Sequence, residues 1–538
     1  MDIKTCVKRK KKMFGKMGIF RLSALVLSAA VVFGTVFFAP FPMNASFGGN
    51  LLGCRALASG GEVFAAGQEG SGVERHNLAP GVLFTLYRGY KNLAGEDLRV
   101  YVLEVDLNRQ DVEILPVVAG DSLSGAETTA AAAARMGAIA GVNGGFYYTE
   151  GGKTLPVGNL IIAGEPWSIL DYTTASAALS RFPEKGGKLE MLTGYFVPRT
   201  EVAFSGKSLP VTTINSSSTI PGVHLFTPRW GEAVEAAGGS LQVALSPAGD
   251  SSYTVTAAGT GRMLIPPRGL VLRFIGNPWS AEGELLRQGE AVSLTFTYDQ
   301  GYWGEIEHLI TAGPLLVEDG EPVFQAIQEG FTGSVLLPNP RTAMGVTADN
   351  RALLVVAERS EKGSRVGLTL EEMSLLMTGL GAVRAIGLDG GGSSTFYAGG
   401  RIWNNARSSP RAVANSLLVL TGLKLYLNNI RIFPDVPPYL AEGGRTMVPI
   451  RVIVEHLGAQ VEWKSETQTV FISRENRIVK LNIGSKEADV DGVPVLLEAP
   501  PVIKSGRTMV PLRFVAENLQ CRVHWDDLRR AVYIAADR

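Results

Sequence analysis

Leu388-Asp389-Gly390-Gly391-Gly392-Ser393-Ser394-Thr395-Phe396-Tyr397 is the stretch from which the architecture is read. Ahead of it, Thr369 and Glu372 have the spacing of a capping box. Leu375, Leu376 and Met377 supply an apolar helix face, and Gly381 stands where a helix stops. A strand predicted at 383–388 then carries the chain into the glycines. The same order occurs once before. Ser124 and Glu127 form a second capping box, Ala130 to Ala134 continue the helix, and Gly137 ends it. A short apolar strand at 138–142 then runs into Asn143-Gly144-Gly145-Phe146-Tyr147. Two readings stay open: unrelated glycine-rich turns, or two loops at equivalent strand ends that build one site.

The residues of the later loop suit an anion. Gly390, Gly391 and Gly392 allow the backbone to bend with positive φ and to aim several N–H groups at a ligand. Ser393 and Ser394 add hydroxyls, and Asp389 places a carboxylate at a strand end, where ligands of α/β sheets gather. No lysine follows in the P-loop spacing, so this is not a nucleotide loop of that kind. A purely structural glycine turn is the competing reading. Asn143, Gly144 and Gly145 offer an amide and further N–H donors, or only a tight turn. Arg341 and Thr342 follow Pro338-Asn339-Pro340 and precede an apolar strand at 353–357. An arginine held there can present a bidentate fork to phosphate, or simply face solvent. Glu358 closes that strand as a second carboxylate or an ordinary strand-end charge. Arg411 and Asn415 stand before the strand at 416–420.

Composition narrows the function classes. The 538 residues allow two to four domains. Three cysteines exclude a disulfide scaffold and a cysteine-rich metal module, and five scattered histidines argue against a histidine-built metal centre. No metal or cofactor is therefore expected. A basic n-region from Lys8 to Arg21 precedes an uncharged apolar run at 22–39, the layout of an export signal or membrane anchor. Ala56-Leu57-Ala58 offers a cleavage site and Leu51-Leu52-Gly53-Cys54 resembles a lipoprotein box. Each outcome is extracytoplasmic, at the envelope or secreted. Residues 1–58 hold nine basic side chains and one acidic. The remainder has 42 basic against 50 acidic groups, a net charge of −8 that disfavours nucleic acid as a partner.

Residues 59–97, Gly/Ala/Glu-rich at first, read as a linker. Alternation at Val100, Val102 and Val105, then Val112, Ile114 and Leu115 across a turn at Asn108, predicts a β-hairpin. Residues 189–300 read as strands and turns. The sum is a mixed α/β or α+β domain with large β content over 98–422. A small tandem α+β module follows at 423–538. There Arg445-Thr446-Met447-Val448-Pro449 repeats as Arg507-Thr508-Met509-Val510-Pro511, and Trp463 repeats as Trp525. Each copy predicts a turn, a short helix after the proline and a hairpin containing tryptophan. The shared residues are mainly apolar, so the tail reads as a binding or spacing module, one able to contact the cell wall.

Taken in order, Asn143-Gly144-Gly145-Phe146, Thr311-Ala312-Gly313-Pro314-Leu315-Leu316, Arg341-Thr342-Ala343-Met344-Gly345, the 388–395 loop and the 411–418 segment resemble the phosphodiester glycosidase family. Thr227-Pro228-Arg229-Trp230-Gly231 looks like a further family segment. The resemblance covers 98–422. The tail resembles the copper amine oxidase-like N-terminal domain, without a histidine cluster that would hold copper. The first resemblance implies a secreted hydrolase that cleaves the glycosidic bond of sugar-1-phosphodiesters in envelope or extracellular glycopolymers. It implies Arg341, the glycine-loop N–H groups, Ser393 and Ser394 around the phosphate, and Asp389 as the carboxylate at the sugar. Asn143 and Asn415 would orient the substrate. Where the family has Asp-Gly-Arg, this chain has Ala357-Glu358-Arg359, so Glu358 is the candidate second carboxylate. The alternatives are a non-catalytic envelope protein that binds phosphorylated glycans and a phosphodiesterase that cleaves P–O.

Overall fold

The fold is that of a computed structural model, which describes residues 72–536 apart from 124, 171–174, 182–187, 197, 250, 299–304, 360–366, 405–408, 429, 435 and 528–529. The export segment at 1–58 and Ser124 lie outside the described residues. Two sheets face each other in the core. One has eight strands and the other five, and buried residues of both, such as Phe84, Tyr101, Val142, Phe396 and Leu417, belong to one apolar cluster.

The two helix–strand units end one in each sheet. Helix Thr129–Met136 leads into strand Ala140–Asn143 of the five-stranded sheet. Helix Leu370–Gly379 leads into Ala382–Gly387 of the eight-stranded one. The second helix starts with the expected reciprocal box: the Thr369 hydroxyl accepts from the Glu372 N–H, and Glu372 accepts from the Thr369 N–H. The first is capped later than expected, by Thr128, which accepts from the Ala131 N–H. Glu127 is drawn away from a capping role because its carboxylate pairs with Arg135 at 2.9 Å. Gly137 ends the helix in the left-handed region, φ 65°.

Two expectations change, and a third gains a shape. Part of the presumed linker 59–97 is β-structure: Val73–Ala79 pairs with Val82–Lys91 at the edge of the eight-stranded sheet. Val82, Phe84 and Leu86 alternate inward, and Phe84 lies 4.7 Å from the Trp403 ring and 4.9 Å from that of Phe396. The presumed hairpin around Asn108 is instead a crossing between sheets. Asp97–Asp106 is flanked by Val82–Lys91 and Arg351–Arg359, so no edge remains for Val112–Val118, which pairs with Asn415–Thr421 in the other sheet. Most of 189–300 closes into a seven-stranded barrel with its own core, including Val202, Val243, Leu272 and Phe274. A second five-stranded sheet stands between barrel and core: Ala177 and Leu179 join the core cluster, while Ala178 and Leu309 join that of the barrel.

The tail folds as two strand–helix–hairpin segments. Arg445–Pro449 pairs with Arg507–Pro511 about Val448 and Val510, and one apolar cluster draws on both segments. At the joint with the core, Glu113 is buried among Arg431 at 2.9 Å, His308 at 3.5 Å and Lys424 at 3.7 Å. A cavity of about 30 Å³ beside them has room for little more than a water.

Candidate active site

The two Asx-Gly-Gly loops meet. The Asn143 amide donates to the Asp389 carbonyl at 2.6 Å, and the Asp389 N–H donates to the Gly144 carbonyl at 3.1 Å. Such a reciprocal tie needs glycine on the earlier loop. A Cβ on Gly144 would lie 1.9 Å from Asn415 Oδ1, and one on Gly145 would lie 2.4 Å from the Thr311 carbonyl oxygen. Asn415 in turn accepts from the Gly145 N–H at 2.8 Å, so it holds the loop that holds Asp389. Asn143 is fully buried and also accepts from the Thr342 hydroxyl at 2.9 Å and the Thr395 N–H at 3.1 Å. Both asparagines, expected to orient substrate, thus direct their side chains into the frame, as does Thr342.

Asp389 sits where the frame opens. It retains partial exposure, yet dense surroundings push its carboxyl up to about 6, against the opposing pull of the Ser393 hydroxyl, Arg411 and the Gly390 N–H. Ser393 also accepts from Arg411 Nη1 at 3.1 Å, giving a chain from Asp389 through Ser393 to an exposed guanidinium. Ser394 points the other way, with its hydroxyl 3.1 Å from that of Thr342. Gly391 needs its glycine, with φ 62°, to start the short turn Gly391–Ser393. The loop N–H groups are mostly engaged within the protein: Gly391 donates to Pro340, Ser393 to Gly390 and Ser394 to Gly391.

Arg341 is placed differently from its expected role. It is buried, and its Nε and Nη2 donate to the carbonyls of Leu368, Val335 and Leu337 at 2.6–2.8 Å. Burial lowers its pKa to about 10, opposed by Glu371 and Glu372, so it stays charged at neutral pH. Its Cδ and Nη1 each lie 3.8 Å from where a Gly390 Cβ would stand. Glu358 is also brought near but turned inward. Its carboxyl is buried, with the Tyr101 hydroxyl and the Asn404 amide each at 3.4 Å. Burial, with Glu358 second, pushes the Tyr101 hydroxyl above its ordinary range. Asn404 escaped the sequence reading because no motif or spacing marks it; its role comes from contacts across turns.

Among the described residues, Glu113, Glu307 and His308 could bring ligand atoms together for a metal. Two fixed cations already face Glu113, and His308 Nδ1 accepts from the Ala163 N–H, leaving Nε2–H toward the carboxylate. That chemistry is an ion-pair cluster.

Residues 242–420 match the model of the phosphodiester glycosidase family, and residues 426–534 that of the copper amine oxidase N-terminal domain. The Asn143 loop lies outside the first match. Among curated proteins, a protease inhibitor of Brevibacillus choshinensis is 32% identical over 81 residues, 15% of this chain and 25% of that protein. A hypothetical protein from Synechocystis has a TM-score of 0.55 at 23% identity, over 66% of this chain and 64% of its own. A Burkholderia pseudomallei structure gives 0.51 at 22%, over 61% and 74%. The chain thus spans a quarter of the curated relative and just under two thirds of the first structure, and the structural likenesses establish fold alone. By these matches, the chain joins a phosphodiester glycosidase-like domain to a copper amine oxidase N-terminal-like tail.

Proposed function

We propose that the protein is an extracytoplasmic hydrolase that cleaves the C–O bond between a sugar and its phosphodiester, releasing free sugar and a phosphomonoester. The observation that carries this reading is the meeting of the Asn143-Gly144 and Asp389-Gly390 loops, which sets Asp389, Ser393 and Arg411 side by side. The phosphomonoester leaves as a weak base and needs little protonation. Positive charge at its oxygens matters more, and the exposed Arg411 supplies it. Asp389, ionised, supports the oxocarbenium-like carbon as the phosphate departs, and water then completes the exchange. Export is supported by the basic and apolar segment before residue 58 and by the Burkholderia neighbour, described as an exported protein. No helix among the described residues is long and apolar enough to cross a membrane.

The test is a bis-ester of N-acetylglucosamine-1-phosphate and p-nitrophenol, incubated with residues 59–538. Free sugar with intact p-nitrophenyl phosphate supports C–O cleavage. Released nitrophenol moves the assignment to P–O cleavage, and ¹⁸O water places the label at sugar C1 or on phosphate accordingly. The inward bonding of the loop N–H groups and of Glu358 favours one rival, a glycan-binding protein without turnover. Binding of N-acetylglucosamine-1-phosphate with no product from the diester would identify it.

A further inference from the structure

Glu358 and Asn404 stand beside the site without opening onto it. Asn404 Oδ1 accepts from the Phe396 N–H at 2.7 Å, and its Nδ2 donates to the Ser394 carbonyl at 2.9 Å. The Thr395 N–H between them is taken by Asn143 Oδ1 at 3.1 Å. Two buried amides therefore hold three consecutive residues of the loop's exit, while Asn143 also holds its entrance through the Asp389 carbonyl. For Asn404 the orientation is forced. Its oxygen must face an N–H and its NH₂ must face a carbonyl, which an aspartate at 404 cannot satisfy. Glu358 Oε2, 3.4 Å from that NH₂, is a second acceptor that favours the same orientation. Tyr101 steadies the other carboxylate oxygen.

We infer that Glu358 and Asn404 are a positioning pair that fixes the 389–396 loop, and that, of the two candidate carboxylates Glu358 and Asp389, it is Asp389 that is presented to the substrate. This rests on the hydrolase reading above. It gives the departure from Asp-Gly-Arg at 357–359 a physical meaning. A carboxylate with 2% exposure cannot touch a sugar, but it can set the amide that sets the loop. A buried acceptor left without its donor is costly, so the pair acts through geometry.

The experiment compares E358Q, E358A, N404D and the double variant E358Q/N404D with the wild type. Glutamine keeps its carbonyl as the acceptor for Asn404 and turns its NH₂ to Tyr101, whose hydroxyl oxygen can accept, so E358Q should retain turnover of the bis-ester within about threefold, with the pH–rate profile unmoved. A Glu358 that served as acid, base or nucleophile would instead lose about a hundredfold or more and delete a limb of that profile. N404D should lower kcat about 10- to 100-fold, the loss of a buried hydrogen bond, with KM changing less. In the double variant, donor and acceptor exchange places across the 358–404 contact, and several-fold of that loss should return. A readout independent of turnover is hydrogen exchange in the peptide 389–398. It should quicken in E358A and N404D and stay as in wild type in E358Q. A wild type without turnover overturns the hydrolase reading, while the exchange arm still decides the clamp. Unchanged exchange in all variants, or a hundredfold loss in E358Q with exchange intact, overturns the positioning role.

Discussion

Asp389 occupies a place where its charge is disfavoured by dense surroundings and favoured by Ser393 and Arg411, with the first effect ahead. Its carboxyl rises from the ordinary 3.8 to about 6, so the folded chain holds the proton more tightly than the unfolded one. The associated stability is fully present below pH 3.8 and is lost as pH rises through about 6. Asp389→Asn should therefore match or exceed the wild-type Tm at pH 7.5, and the difference should vanish at pH 4. Calorimetry at the two pH values checks this, and a Tm several degrees lower at pH 7.5 would count against it. The same ionisation governs rate. If Asp389 acts as a carboxylate, kcat/KM for the bis-ester climbs with pH through about 6 and then levels, and Asp389→Asn loses turnover while keeping ligand binding. Arg411→Ala should raise KM more than it lowers sugar release from a substrate with a better leaving group. The steady-state constants of the two substrates decide between those effects.

Among elements, the two strand-to-loop transitions matter most, and much of them was legible. Thr369, Glu372 and Gly381 bracket the later helix by chemistry local to the chain, and Asn143 ends, and Asp389 closely follows, a strand that its apolar run announces. What short-range patterns do not encode is the direction of a side chain at a loop. Arg341 looked like a fork for phosphate because it follows a rigid Pro-Asn-Pro turn. The carbonyls that claim it, from Val335, Leu337 and Leu368, come together only in the folded chain. The barrel was likewise hidden, since its strands read as strands anywhere, and closure depends on pairings such as Pro198–Phe204 with Ala291–Tyr298. Gly144 is the element-scale test. Alanine there collides with Asn415, so Gly144→Ala should lower Tm and remove most turnover together. Gly120, by comparison, has nothing within 4 Å of a Cβ but a φ of 57°, so alanine there should cost only about 1–2 kcal/mol of backbone strain and leave turnover unchanged.

For the molecule as a whole, Glu113 is the tie between core and tail. Burial alone would raise its pKa, but Lys424, Arg431 and His308 together hold it well below the ordinary carboxylate range. Its contribution is present above the unfolded value of 4.5 and is lost as pH falls through the folded one. Glu113→Gln removes the buried carboxylate that Lys424 and Arg431 face and should cost about 3–5 kcal/mol. Scanning calorimetry should then resolve tail and core as separate transitions where the wild type gives one. Another long-range tie is the bond from Asn143 to Asp389, which joins positions 246 apart in the chain. Between them lie the barrel and the intermediate sheet, so the loops cannot find each other by local search. The entropy of closing so long a loop must be offset before the contact forms. The site is thus a late product of folding. Refolding followed by circular dichroism should run ahead of recovered turnover, and a chain cut within the barrel would contain both loops and yet no site until its fragments reassociate.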